Sequence, residues 1–112
     1  MTGIKDWKAY SEALRGRGKE LSALHPDIVK GFVALNHGAA QTKHLDAKTR
    51  EFIALAVAIT THCEGCIDAH ARKAKAAGAT KEEIAEALGV AIALNAGAAF
   101  TYALHALDAM GD

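Results

Sequence analysis

Residues 51–70 read EFIALAVAITTHCEGCIDAH. The segment opens on a run from Phe52 to Ile59 that is apolar on every side of a helix. A helix of this kind is buried all round, either inside its domain or between subunits. Two cysteines follow three residues apart, and His70 lies four residues after the second cysteine. We therefore expect a buried helix, a short turn, and a second helix that carries both cysteines.

The composition predicts an all-α domain. Alanine accounts for 26 of the 112 residues, and Pro26 is the one proline. Alanine has the highest helix propensity, and no stretch of the chain alternates apolar and polar residues for long. We expect five to six helices that pack closely on small side chains. A chain of this length forms one domain, residues 1–112.

Capping signals predict several helix boundaries. Pro26 suits the first turn of a helix, and Asp46 suits an N-cap. Gly78 suits the left-handed position that follows a helix. Residues 80–83 read TKEE, the sequence of a capping box at the start of another helix.

Glycine-containing segments predict two interruptions. A first helix that begins near Ile4 is expected to kink or break near Gly16 and Gly18. The segment 95–97, Asn-Ala-Gly, predicts a turn or kink before a last helix.

The charge and hydropathy patterns disfavour several classes of function. Thirteen basic and thirteen acidic residues give a formal net charge of zero, which disfavours a nucleic-acid partner. A membrane-spanning helix needs about 20 apolar residues, and the longest uninterrupted run has eight, so we expect no membrane span. The first twenty residues have no apolar signal core, so we expect a cytoplasmic protein.

The segment around the two cysteines carries the chemistry. If Cys63 lies in the first turn of a helix, then Cys63, Cys66 and His70 share one face of it. The two sulfurs can then form a disulfide, and the positive end of the helix makes a thiol there more acidic. His70 can take the proton of Cys66 directly or through one water.

Simpler interpretations of the cysteines remain open. Both could be small core residues of an alanine-rich helix. A structural zinc ion needs four ligands, and the chain has no second C-x-x-C. Haem attachment needs a histidine directly after the second cysteine, where Ile67 stands. We therefore expect neither a metal nor a cofactor.

Glu51 allows two interpretations. It lies twelve residues before Cys63, about 18 Å along a helix, and the next helix returns about 10 Å by His70. Glu51 and His70 can therefore face each other across the helix pair, which would give a buried carboxylate its partner. Alternatively, Glu51 lies in an exposed first turn, stabilised by the helix dipole or by Arg50 or Lys48.

Four segments together resemble the AhpD-like alkylhydroperoxidase family within the carboxymuconolactone decarboxylase superfamily. They are residues 50–57 (REFIALAV), residues 63–66 (CEGC), His70 and residues 78–80 (GAT). The chain matches all four fixed positions of the pattern E-x11-C-x-x-C-x3-H, and the resemblance covers residues 20–110. One position departs from the best-known members, which place a second histidine where Gly65 stands here.

The resemblance implies a thiol peroxidase or disulfide reductase. Carried over, Cys66 attacks the hydroperoxide, Cys63 resolves the sulfenic acid as a disulfide, His70 is the base and Glu51 orients it. A dithiol protein would act as the reductant. Short relatives form hexamers, and this chain is unusually apolar, so we expect a homohexamer with a trimer as the second choice.

Three other functions stay open at this stage. The pair could serve a general thiol–disulfide oxidoreductase without peroxide specificity. The chain could be a decarboxylase or isomerase of small lactones in which the cysteines are incidental. It could also be a helical assembly module without catalytic activity.

Overall fold

The computed structural model describes residues 3–112, and over this range the chain forms five α-helices and no strand. The predicted all-α class is therefore confirmed. The helices are α1 (Trp7–Leu24), α2 (Pro26–Ala39), α3 (Ala47–Thr60), α4 (Glu64–Ala76) and α5 (Lys81–Met110). The chain divides into two compact units, Met1–Arg50 and Glu51–Asp112.

The first unit contains α1 and α2, which pack against each other. Helix α1 begins after Asp6, whose Oδ1 accepts the backbone N–H of Ala9 at 3.1 Å. The expected start near Ile4 is therefore three residues early, and the expected break near Gly16 and Gly18 is wrong. A glycine inside a helix costs about 1 kcal/mol relative to alanine. The surrounding Arg, Lys and Glu residues favour the helix, so α1 continues through both glycines.

Pro26 and Asp46 lie at the starts of helices, as the sequence predicts. Pro26 occupies the first turn of α2, and the N–H of His25 bonds to the carbonyl of Leu21 at the end of α1. Asp46 caps α3, since its Oδ1 accepts the N–H of Thr49 at 2.7 Å. The bonds from Thr49 hold the pKa of Asp46 below its usual value.

The second unit forms the caps predicted at Gly78 and Thr80. Gly78 adopts a φ of 89° after α4 ends, and Cys63, which was not predicted as a cap, is the N-cap of α4. At the start of α5, Thr80 and Glu83 form both bonds of the capping box, at 3.1 and 2.9 Å. These local signals were sufficient because each depends on residues three or four positions apart.

Helix α5 is continuous through residues 95–97, so the predicted turn is wrong and the helices number five over the described range. Asparagine breaks helices when its side chain bonds to nearby backbone. Here Asn95 Nδ2 instead donates to Thr60 Oγ1 of α3 at 2.9 Å. Because the Asn95 side chain does not bond to the nearby backbone, the alanines around Gly97 keep the helix continuous.

Few of residues 3–112 are buried within the single chain. The buried apolar side chains in this range are Leu55, Ala58 and Ala74. Burial of α3 on every side is not seen in the single chain, because Ile53 and Val57 are 51% and 57% exposed. Burial of this helix between subunits stays a prediction.

Helix α5 is apolar and has no buried residue. Ile92, in the middle of this helix, is 62% exposed. Among the described residues, this is the one helix whose length and composition would allow it to cross a membrane, although the core helix of a soluble protein meets the same criteria. The length of the longest uninterrupted apolar run does not reveal how apolar α5 is, because isolated Gly, Asn and Thr residues interrupt its otherwise apolar surface.

Candidate functional site

A tight reversal between α3 and α4 sets the position of the cysteines. The N–H of Cys63 donates to the carbonyl of Ala58 at 3.0 Å, and Thr61 Oγ1 donates to the carbonyl of Val57 at 2.9 Å. His62 adopts the left-handed conformation, with a φ of 55°. Histidine tolerates this region better than most residues, which suits a turn of this shape.

The two cysteines form a disulfide across the first turn of α4. Their Cα atoms are 5.2 Å apart, within the range that a disulfide requires. Cys63 Sγ also caps the helix, since it accepts the backbone N–H of Cys66 at 3.2 Å. Both residues are half-buried. The pair therefore occupies the positive end of α4.

Glu51 and His70 form the second pair of the site. Glu51 Oε2 lies 2.5 Å from His70 Nδ1, and their side chains are 7% and 24% exposed. The structure therefore favours the facing arrangement over an exposed first-turn carboxylate. A carboxylate at Glu51 favours the tautomer with the proton on Nδ1, which donates to Oε2. Nε2 then remains as the ring nitrogen that can serve a sulfur.

Helices α3 and α4 thus bring together all four residues that the resemblance marks. Glu51 comes from α3, Cys63 ends the turn, and Cys66 and His70 lie one helical turn apart on α4. Gly65 lies in the first turn of α4 and adds no side chain to the site. His62 is exposed in the preceding turn. Within residues 3–112, no group of three or more His, Cys, Asp or Glu residues is arranged to hold a metal ion.

The sequence does not indicate that Asp68 is buried. Asp68 is 8% exposed, and its Oδ2 accepts a hydrogen bond from Arg72 Nη2 at 2.7 Å. Arg72 Nε also donates to the carbonyl of Asp68 at 3.3 Å. The signal was present as an acid–base pair four residues apart. Such pairs are common on exposed helix faces, so spacing alone does not indicate burial.

An apolar groove between α3 and α5 was also not predicted. Its volume is about 370 Å³, and the hydrogen-bonded pair of Thr60 and Asn95 is part of its wall. The remaining lining residues are apolar: Ala56, Val57, Ala87, Val90, Ala91 and Leu94. Thr60 lies three residues before Cys63, so the groove ends within about 11 Å of the disulfide along the chain.

Comparisons with known proteins agree with this architecture. The sequence profile of the carboxymuconolactone decarboxylase family matches residues 26–109. An uncharacterized protein of Haemophilus influenzae is 53% identical over 104 residues, which cover 93% of this chain and 92% of that protein. The uncharacterized protein 4 in the cox locus of Paracoccus denitrificans is 39% identical over 93 residues, which cover 83% of this chain and 84% of that protein.

A solved structure shares the fold. The apo crystal structure of a carboxymuconolactone decarboxylase family protein from Legionella pneumophila superposes with a TM-score of 0.74 and 32% sequence identity. The alignment covers 92% of both chains. The matched region contains both the helix pair and the four residues of the site, and the chain therefore belongs to the carboxymuconolactone decarboxylase family.

Proposed function

We propose that this protein is a thiol-dependent hydroperoxide reductase that works through Cys63 and Cys66. The observation that carries the proposal is the buried Glu51–His70 pair, with 2.5 Å between Oε2 and Nδ1, one helical turn from Cys66. A thiol beside an oriented imidazole has both a base for its own proton and an acid for the leaving group. Two cysteines that serve only as core residues need no such pair.

The catalytic cycle begins at the thiol of Cys66. His70 Nε2 takes the proton of Cys66, and the thiolate attacks one oxygen of the hydroperoxide. The O–O bond breaks, the alcohol leaves with a proton from His70, and Cys66 becomes a sulfenic acid. Cys63 then gives up its thiol proton and attacks the Cys66 sulfur, the S–O bond of the sulfenic acid breaks, and the hydroxide leaves with that proton as water. A protein dithiol returns two electrons to the resulting disulfide.

The decisive experiment mixes reduced protein with one equivalent of an organic hydroperoxide. We expect the loss of two thiols per chain, the release of one alcohol, and a Cys63–Cys66 bridge in the mass map. The oxidation rate should exceed that of free glutathione at the same pH by orders of magnitude. A rate equal to that of glutathione would contradict peroxidase activity. Fast reduction of protein disulfides alongside that slow rate would favour a general oxidoreductase.

A lactone decarboxylase or isomerase is the second candidate. The observation in its favour is the family profile itself, which matches residues 26–109 and is named for that reaction. In this case the Glu51–His70 pair would move a proton on a carbon acid, and the cysteines would be incidental. Lactone turnover that survives in the Cys63→Ser/Cys66→Ser double variant would support this candidate over the peroxidase.

We also propose a homohexamer, with a trimer as the second choice, located in the cytoplasm. The large apolar side chains along α5 support an assembly, because Phe100, Tyr102 and Leu107 are each about 70% exposed in the single chain. A soluble protein covers such a surface with further subunits. The partners we propose are a hydroperoxide and a dithiol protein, without nucleic acid or membrane.

A further inference from the structure

Three side chains that can bind a metal ion meet at the site once the disulfide is reduced. Reduction frees the sulfurs of Cys63 and Cys66 at the start of α4, and His70 lies one turn after Cys66 on the same helix. We propose that the reduced protein binds Zn²⁺ through both sulfurs and His70 Nε2, and that the ion withholds both thiols from oxidants. The inference rests on the proposed reduction of the pair, but not on its reaction with peroxide.

The oxidation state of the cysteines determines whether this site exists. In the oxidised chain, both sulfurs belong to the disulfide, and over residues 3–112 no group of three or more His, Cys, Asp or Glu residues is arranged to hold a metal ion. The cysteine ligand of a metal is the thiolate. Reduction by a dithiol therefore supplies two ligands that the oxidised protein lacks.

The placement of the two cysteines suits a shared ion. Zinc sites commonly use cysteines separated by two to four residues, with Zn–S distances of about 2.3 Å. A tetrahedral ion then holds its two sulfurs about 3.8 Å apart. The Cα atoms of Cys63 and Cys66 are 5.2 Å apart, so rotation about the side-chain bonds can separate the sulfurs by that amount without movement of the backbone.

His70 supplies the third ligand atom. Its Nδ1 lies 2.5 Å from Glu51 Oε2, which leaves Nε2 as the ring nitrogen for a metal. Residues four apart on a helix are neighbours, and pairs of ligands with this spacing bind zinc in other helices. Cys66 and His70 have this spacing on α4. The sulfur and the nitrogen can therefore reach the same ion.

Glu51 supports the metal through His70. Metal-bound histidines generally donate their other ring N–H to a carboxylate or carbonyl, which fixes the tautomer and makes the metal-binding nitrogen more basic. Glu51 is that carboxylate here, and its side chain is 7% exposed, so water competes little for the bond. This buried pair separates the proposed site from the two-sulfur zinc binding that any reduced C-x-x-C can show.

The three ligands leave the fourth position of the ion to water. The sequence predicts no metal because a structural zinc ion needs four protein ligands, whereas this site is open and its ion can be removed by a chelator. Binding releases the two thiol protons and changes no oxidation state, and the two thiolates balance the charge of Zn²⁺. Each sulfur electron pair that would attack a peroxide is then shared with the ion.

X-ray absorption by zinc in the unmodified protein tests the ligand set. The protein is reduced with a phosphine, which adds no thiol, and receives an equimolar amount of Zn²⁺. We expect two sulfurs at about 2.3 Å and two nitrogen or oxygen atoms at about 2.0–2.1 Å, one of them in an imidazole. Four sulfurs, as for an ion shared by two chains, or two sulfurs without an imidazole would overturn the proposal. Equal zinc affinity of the oxidised protein would also overturn it.

Variants show which histidine binds the ion. Competition with a chromophoric chelator gives Kd, and circular dichroism shows that each variant is folded. Glu51→Gln should weaken zinc binding about tenfold or more, the usual effect of losing such a partner. His70→Gln keeps an N–H donor for Glu51 and should weaken it further. His62→Asn is the matched control, because asparagine also tolerates the left-handed conformation of residue 62, and it should bind zinc like the unmodified protein.

Weaker binding in His62→Asn but not in Glu51→Gln or His70→Gln would overturn the ligand assignment. Protection of the thiols is measured separately, as the rate at which N-ethylmaleimide alkylates the reduced protein. Zinc should slow alkylation, and a chelator should restore it, whereas an unchanged rate would overturn the protective role. No measurement uses a peroxide, so a protein that fails as a peroxidase can still pass all of them.

Discussion

Glu51 Oε2 lies 2.5 Å from His70 Nδ1, although 19 residues separate the two in the chain. The contact exists because α4 reverses direction after the turn at residues 61–63 and brings its second turn back to the first half of α3. A buried carboxylate needs a partner that donates a hydrogen bond. The same bond fixes the imidazole ring, so one contact both partners the buried carboxylate and sets the orientation of His70.

Replacement of Glu51 by glutamine should slow thiol oxidation without unfolding the protein. Glutamine keeps an oxygen that accepts from Nδ1 but removes the negative charge that Glu51 places beside the ring. We expect the rate of oxidation by an organic hydroperoxide to fall about tenfold or more, since positioned acid–base groups contribute factors of about 10² to 10⁴. Stopped-flow fluorescence gives the rate, and calorimetry gives Tm.

Glu86→Gln is the matched control for this variant. Glu86 is exposed on α5 and outside the site, and its substitution removes one carboxylate charge in the same way. Its oxidation rate should equal that of the unmodified protein. If Glu51→Gln and Glu86→Gln oxidise at the same rate, Glu51 has a structural role alone.

The single-cysteine variants test the assignment of the two sulfurs. Cys63→Ser should form a sulfenic acid on Cys66 that persists, because the resolving thiol is missing. Cys66→Ser should lose rapid reaction with peroxide, since Cys63 lies nearly two turns from His70. Dimedone labelling followed by mass spectrometry measures both. Equal labelling rates for the two variants would mean that the roles are assigned wrongly.

A charged residue on α5 tests the assembly. Phe100 is 73% exposed in the single chain, so Phe100→Glu costs little if that face contacts water. If the face is an interface, a carboxylate buried against a second subunit should shift a hexamer toward smaller species. Light scattering at micromolar concentration gives the mass, with Asp108→Asn as the control. A monomeric mass for the unmodified protein would contradict the assembly itself.

The capping box at the start of α5 should contribute measurable stability. Thr80→Ala removes the side-chain oxygen that accepts the N–H of Glu83 at 3.1 Å. Loss of an N-cap of this type costs about 1 kcal/mol. For a domain of this size we expect a fall in Tm of roughly 4–8 °C. Thr80→Ser retains the hydroxyl and should keep most of the stability.

Local signals predicted more of this structure than long-range ones did. Asp46 and Thr80 cap helices as their sequences indicate, because each cap bonds within three residues. The turn predicted at residues 95–97 is wrong because the partner of Asn95, Thr60, lies 35 residues away and no local pattern identifies it. The burial of Asp68 was missed for a similar reason, because its spacing to Arg72 is the same on an exposed helix.

The site was predictable because its residues are close in the chain or follow a known pattern. Spacing placed Cys63, Cys66 and His70 on one helix, but it left Glu51 with two interpretations. Only the return of α4 against α3 favours one of them. The sequence also does not predict that the Cys63 sulfur is an N-cap, because a shift of one residue in the start of α4 would make another residue the N-cap.

The Asp46 cap predicts a specific loss of stability in acid. Its hydrogen bonds from Thr49 lower its pKa in the folded protein, so the folded state favours the carboxylate. The resulting stability is fully present above the unfolded pKa of about 3.9 and is lost as pH falls through the lower folded pKa. Asp46→Asn caps equally well without a charge, so its Tm should fall less between pH 5 and pH 2. Asp27→Asn, at an exposed carboxylate in the first turn of α2, is the control. An acid dependence of Tm in Asp46→Asn as steep as that of the unmodified protein would show that this cap does not contribute to it.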